Sequence, residues 1–285
     1  MARPLRIEFP GAVYHVIARG LEKRNIFAGD EDKAALRTLF SKLFTRYNFI
    51  FYAYCIMDNH YHLLLETPDG NLSRGMQSLN GTYAQVFNEK YERCGHLFQG
   101  RYKAYLVEKE SYLLTVSRYI VLNPVRAMIT NHPSSYAWSS YSETAGGKKP
   151  PDFLVAELIL SQFSKNGVTA RREYRDFINQ GINNEPHCDF DGAAILGGED
   201  FNEKIKDYIK EKKEIKEIPR KERFQNRPSL AEIFAGAEDK FVTQIRDEKI
   251  LIAFMEHGYT QKEIGAYLGL HYSTISVIIK RWEEG

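Results

Sequence analysis

The chain has 285 residues, 43% of them hydrophobic and 27% charged, a soluble composition long enough for about two domains. It holds no run of 18 apolar residues, which excludes a transmembrane helix, and its Cys55, Cys94 and Cys188 lie too far apart for a disulfide framework or a four-cysteine zinc site. The net charge of +2 is unevenly placed: residues 1–150 hold 19 Lys and Arg against 13 Asp and Glu, while residues 151–285 hold 20 against 24, and a mildly basic front half is compatible with a phosphate-bearing partner.

The start of the chain, MARPLRIEFPG, lacks the apolar stretch of a signal peptide, so a reducing cytoplasm is the expected compartment. Residues 12–19, AVYHVIAR, read as a strand closed by Gly20. Asp30 opens a helix whose apolar positions run from Leu36 to Tyr47. Residues 49–57, FIFYAYCIM, are an almost unbroken apolar run, as in a strand buried on both faces. The turn pair Asp58-Asn59 joins it to a second strand, His60 to Glu66. A long helix follows from about Leu72 to Tyr91, with Leu72, Met76, Leu79, Tyr83, Val86 and Phe87 on one face. Residues 101–108 read as another strand, and a helix from about Glu110 carries Tyr119 toward Asn123 and Pro124. This β-α-β-β-α-β-α order predicts an α+β fold: a ferredoxin-like, split βαβ antiparallel sheet with helices. AGGKKPP at 145–151 marks a boundary, residues 152–200 carry weak helical signals, and residues 201–227 form a charge-laced stretch read as a solvated helix face and linker. The expected domains are therefore 1–145, a helical extension and charged linker over 146–245, and an all-α unit over 246–285.

Two short patterns carry the chemistry. His60 and His62 are two apart on a strand, so both imidazoles project from one face, with Leu64 and Glu66. Such a pair can hold one divalent metal; the bland alternative is two hydrogen-bonded surface histidines. Tyr119 and Asn123 are four apart in RYIVLNPVRA, one turn above each other on a helix. A phenol beside a carboxamide could serve as nucleophile and metal ligand, while the bland alternative is packing, since the chain has 18 tyrosines. Two neutral nitrogens and an amide oxygen would leave coordination positions open, suited to Mg²⁺ or Mn²⁺ polarising a scissile phosphate.

Four segments together, RIEFPGAVYHVIARG (6–20), MDNHYHLLLE (57–66), YERCGHLFQGRYKA (91–104) and SRYIVLNPVRA (117–127), with a weaker YAWSSY (136–141), resemble the single-tyrosine HUH transposases of the REP-associated tyrosine transposase type. The resemblance covers about residues 3–145 and continues faintly to about 205. It implies metal-dependent cleavage and rejoining of single-stranded DNA next to a folded hairpin, in a domesticated role at palindromes of the host chromosome. By the same likeness His60 and His62 would be metal ligands, Asn123 the third, where relatives often have Gln, and Tyr119 the nucleophile giving a 5′-phosphotyrosine and a free 3′-hydroxyl.

Further candidates for DNA contact are Arg3 and Arg6 in a basic N-terminal arm, Arg19, Lys23 and Arg24 along a phosphate path, and Phe98, Arg101 and Lys103 around the glycine-bounded GHLFQGR segment. Phe98 is equally read as a core residue of a structural turn. Residues 247–282 read as three helices with helix-turn-helix spacing: Thr260 and Glu263 form a capping box, Gly269 closes one helix, and Tyr272, Ser273, Thr274 and Ser276 begin the next, where they could reach base edges of duplex DNA with Lys280 and Arg281 on phosphates. Residues 241–285 hold five Lys and Arg against six Asp and Glu, so this unit alone should bind weakly. The competing readings are a non-catalytic, sequence-specific DNA-binding regulator on the same scaffold and a metal phosphoesterase that uses water. The partner is DNA rather than a membrane, and a monomer and a homodimer both remain open.

Overall fold

The computed structural model describes residues 7–182, 195–205, 208, 228–235, 243–255 and 259–284. Its contacts divide the chain into two units, Met1–Asp207 and Tyr208–Gly285.

In the first unit, the β-branched and aromatic run Ala12–Arg19 forms β1, the helix α1 spans Asp30–Tyr47, and β2 (Ile50–Ile56) and β3 (His60–Thr67) make the expected hairpin. Helix α2 (Leu72–Lys90) leads to β4 (Lys103–Val107), and a short fifth strand, β5 (Ile195–Leu196), adds in parallel beyond it. The sheet order β2-β3-β1-β4-β5 contains the antiparallel ferredoxin-like core that the element order predicts. On α2, Leu72, Met76, Leu79, Tyr83 and Phe87 are buried, but Val86 is 43% exposed: the inward stripe steps from Tyr83 to Phe87, and Val86, about 100° round the helix from Phe87, falls on its flank.

β2 lies at the sheet edge, yet every residue from Phe51 to Ile56 is buried. Later chain covers that edge. The Ile56 N–H donates to Trp138 O at 2.9 Å, the Ser140 N–H to Tyr54 O at 3.0 Å, and the Val155 N–H to Phe51 O at 2.8 Å. The YAWSSY segment is thus the edge's pairing partner, and the first unit continues past residue 145. The helix Gly167–Gln180 places Ala170, Tyr174 and Ile178 in the same core as Val116 and Ile120.

The helix α3 spans Lys109–Val121 and packs on β2 and β3. The sequence spacing runs this helix on to Asn123; instead it ends at Val121, and a short helix, α4 (Asn123–Arg126), restarts it. Pro124 has no N–H for the Ile120 carbonyl. The Asn123 amide takes that role, its Nδ2 donating to Tyr119 O at 2.9 Å and to Ile120 O at 3.3 Å.

The second unit contains helices Leu230–Phe234, Thr243–Met255, Gln261–Leu268 and Tyr272–Glu284 around Ile250, Ala253, Ile264, Ile275 and Ile279. The expected capping box is present, with Thr260 Oγ1 accepting from the Glu263 N–H at 3.1 Å and the Glu263 carboxylate accepting from the Thr260 N–H at 2.6 Å. Gly269 closes that helix at φ +68°, a left-handed turn that glycine adopts without steric cost.

Candidate active site

The site is built on one face of the sheet's centre. The period of two along β3 turns His60 and His62 to the same side, with ring centroids 4.9 Å apart. β1 pairs with β3 so that Ile17 faces His62 and His15 faces Leu64. His15 is therefore a diagonal neighbour of His62, within reach on the same face. Its Nε2 lies 2.9 Å from His62 Nδ1, with the rings 18° from parallel.

Helix α3 crosses this face and brings Tyr119 to it. The half-buried Tyr119 ring meets His62 edge-on at 6.0 Å between centroids and His15 at 5.8 Å. The Arg126 guanidinium covers the Tyr119 ring at 4.4 Å and donates from Nη1 to Tyr119 O at 3.4 Å. His60, His62 and Tyr119 thus converge, and Asn123 is anchored one turn beyond the phenol through its amide nitrogen.

The electrostatics keep the imidazoles neutral. Burial pulls His15 down to about 3. Burial, aided by the Arg19 charge, pulls His60 down to about 4, against the opposing pull of Asp58. His62 is held well below the ordinary histidine value by burial, then by His15, His60, Arg19 and Arg126. A neutral imidazole is the form that binds a metal.

The ring nitrogens also fit one. His60 Nδ1 is 2.5 Å from the acceptor Asn59 Oδ1, so it carries the proton and leaves a lone pair on Nε2. His62 Nε2 is buried with no hydrogen-bond partner. Two imidazoles whose Nδ1 atoms are tied back and whose Nε2 atoms are left over suit a divalent cation. Among the described residues no group of three or more His, Cys, Asp or Glu side chains is arranged to hold a metal ion, so a further ligand would come from an uncharged group such as Asn123 Oδ1 or from water.

Residues 9–123 match the family model described as Transposase IS200 like, and residues 246–285 match that of a Homeodomain-like domain. His15, His60, His62, Tyr119 and Asn123 all fall within the match to the IS200-like transposases. No curated protein sequence matches the chain. A REP-associated tyrosine transposase, solved bound to a REP hairpin, aligns at 15% identity and a TM-score of 0.45, over 54% of this chain and 92% of its own. A Deinococcus radiodurans R1 protein assigned as a transposase aligns at 21% identity and a TM-score of 0.31, over 42% of this chain and 95% of its own.

Around the site, Arg19 is exposed at the end of β1, in register with His60. The Gln99 N–H donates to Arg19 O at 2.9 Å, which ties the GHLFQGR segment to this end of the sheet. That segment and α2 enclose a groove of about 780 Å³ lined by Gln77, Asn80, His96 and Arg101 among others. Arg101 and Lys103 are exposed. Phe98 is buried, its ring against Tyr61 and Tyr83, so it serves as wall rather than as an open stacking surface. Arg3 and Arg6 lie outside the described residues, as does the side chain of Lys280. In the second unit Tyr272, Ser273, Thr274, Ser276 and Arg281 are exposed along the last helix, while Ile275, Ile278 and Ile279 face the core. Among the described residues no helix is long and apolar enough to cross a membrane.

Two residues of the site escape a reading from sequence: His15 and Arg126. His15 sits inside a strand that reads as pure core, and only the β1–β3 register pairs it with His62. Arg126 lies seven residues beyond Tyr119, two turns along the same face, in the short helix that restarts after Leu122, where nothing in the sequence shows that its guanidinium reaches back to the ring.

Proposed function

We propose that the chain is a divalent-metal-dependent transposase that cuts and rejoins single-stranded DNA beside a folded hairpin, with Tyr119 as nucleophile. The observation that carries this reading is the edge-on approach of the Tyr119 ring to His62 on the face that bears His60. In cleavage, the Tyr119 oxygen bonds to phosphorus as the bond from phosphorus to the 3′-oxygen breaks. The proton lost by the phenol is balanced by the one gained at the released 3′-hydroxyl, and the 5′-phosphate stays on the tyrosine. That ester conserves the bond energy, so a 3′-hydroxyl can displace Tyr119 and rejoin a strand.

His60 Nε2, His62 Nε2 and Asn123 Oδ1 would hold Mg²⁺ or Mn²⁺, which when bound supplies charge that polarises the scissile phosphate. Arg19, Arg101 and Lys103 neutralise the flanking phosphates, and the sequence likeness supplies the hairpin substrate. The last helix offers Tyr272, Ser273, Thr274 and Ser276 to the base edges of duplex DNA, with Arg281 on phosphate.

The test is incubation with hairpin-flanked single-stranded DNA and Mn²⁺, followed by a denaturing gel. A covalent protein–DNA adduct is expected from the wild type and none from Tyr119→Phe or in the presence of a chelator. An adduct formed by Tyr119→Phe would remove Tyr119 from its role. Site-specific binding that withstands chelator and His60→Ala, with no cleavage, would instead make the chain a regulator.

A further inference from the structure

We propose that His15 is a positioning residue: its Nε2 accepts a hydrogen bond from His62 Nδ1–H and thereby fixes His62 in the tautomer whose Nε2 lone pair faces the site. The proposal rests on the metal reading above for the direction of the hydrogen bond, and on the observed contact for its geometry. The two nitrogens are 2.9 Å apart and both rings are buried, His15 at 0% and His62 at 3% exposure.

A neutral imidazole pair can share one proton across this contact in only two ways. If His15 donated, His62 would have to carry its own proton on Nε2. That nitrogen is buried with no hydrogen-bond partner, so an N–H there would be an orphaned donor. If His62 donates, its Nδ1–H is satisfied by His15 and the donor left over is instead His15 Nδ1–H, which is equally buried; what separates the two arrangements is that only this one leaves a lone pair on His62 Nε2, the form needed by a ligand. His60 follows the same logic with a different partner, since Asn59 Oδ1 holds its Nδ1. Each imidazole of the pair therefore has its own acceptor behind it, a side-chain amide at the rim and a histidine in the interior. His15 also braces Tyr119, whose ring meets it edge-on at 5.8 Å. One buried ring thus orients a proposed ligand and backs the proposed nucleophile.

The experiment is long-range ¹H–¹⁵N NMR of the histidine rings in the full-length, metal-free protein, with Mn²⁺ binding measured by calorimetry on the same samples. Wild-type His62 is expected to be protonated on Nδ1 alone. His15→Phe, which keeps the ring volume and removes the acceptor, should mix the two His62 tautomers and weaken Mn²⁺ binding about 10- to 100-fold. His15→Gln, whose amide oxygen can occupy the place of Nε2, should restore most of both. A wild-type His62 protonated on Nε2 overturns the proposal whether or not the variants fold. Unchanged tautomer and unchanged Mn²⁺ affinity in a folded His15→Phe overturns it as well. If the wild type binds no Mn²⁺ but shows the Nδ1–H form, lost in His15→Phe, the positioning role stands and the metal reading fails.

Discussion

The Arg126 guanidinium lies 4.4 Å from the centre of the Tyr119 ring, stacked on the residue that points at the paired histidines. A cation on an aromatic face is attracted by the ring's electron density, more so as the phenol gives up its proton and that density rises. Partial burial keeps water from screening the contact fully. Arg126→Ala should therefore slow single-turnover cleavage roughly 3- to 30-fold, the rate equivalent of about 0.5–2 kcal/mol. Arg126→Lys, which keeps the charge but loses the planar stack, should fall between the two. Cleavage by Arg126→Ala at the wild-type rate would show that the stack only packs the ring.

Removing the Tyr119 hydroxyl leaves the ring's contacts with His15, His62 and Arg126 in place. Tyr119→Phe should then melt within a few degrees of wild type, a change under about 1 kcal/mol, while losing adduct formation. Tyr119→Ala, which empties a half-buried ring site, should lose about 2–3 kcal/mol as well. Thermal melts set beside denaturing gels separate the two effects.

Gly75 of α2 faces Phe49, and a Cβ there would stand 2.3 Å from Phe49 Cζ. Phe49 is fully buried, so its ring cannot yield without disturbing the core. Alanine favours a helix over glycine by about 1 kcal/mol, but overpacking costs about 1–3 kcal/mol. Gly75→Ala should lower stability by up to about 2 kcal/mol in urea unfolding. Gly81 lies in the same helix with nothing within 4 Å of its Cβ position, and Gly81→Ala should raise stability by about 0.5–1 kcal/mol.

Glu143 is buried and its Oε1 accepts from Arg37 Nη2 at 3.0 Å and from the Tyr54 hydroxyl at 3.1 Å. The contact ties α1 to the segment that covers β2. Arg37→Ala strands a buried carboxylate; because the Arg37 side chain is 35% exposed, the cost should be about 2–3 kcal/mol rather than the upper range for a fully buried pair. Replacing both residues by apolar ones of similar size should cost less than Arg37→Ala alone, and a double-mutant cycle reads the difference.

Asp32 supplies the pH dependence. Burial pushes its carboxyl up, but hydrogen bonds from Lys90, Tyr91 and the Ala28 N–H outweigh burial and hold it below the usual carboxylate range. The unfolded chain therefore binds the proton more readily than the folded one. Its contribution is complete above the unfolded carboxylate value of about 4 and is lost as pH falls through the lower folded value. Asp32→Asn should be less stable at pH 7 by about 1.5–3 kcal/mol and lose less of its remaining stability on acidification. Urea midpoints between pH 3 and pH 7 measure both slopes.

The elements and the pairing of His60 with His62 are legible in the sequence because they follow from local chain geometry. A period of two puts both rings on one side of any strand, and a period near four sets Tyr119 on a helix whatever that helix packs against. The transposase resemblance is legible for the same reason, since its motifs are short and contiguous. Tertiary structure alone decides that His15 stands behind His62, because that contact joins residues 47 apart through a strand register. It also decides that β2 is an edge strand sealed by residues near Trp138, Ser140 and Val155, where a long apolar run reads equally well as a central strand. The stacking of Arg126 on Tyr119 joins residues on either side of the break before Pro124, which the sequence marks without telling which way the chain turns next. Local geometry therefore determined which groups share a face; the long-range pairing of strands and the path after the break determined which faces meet.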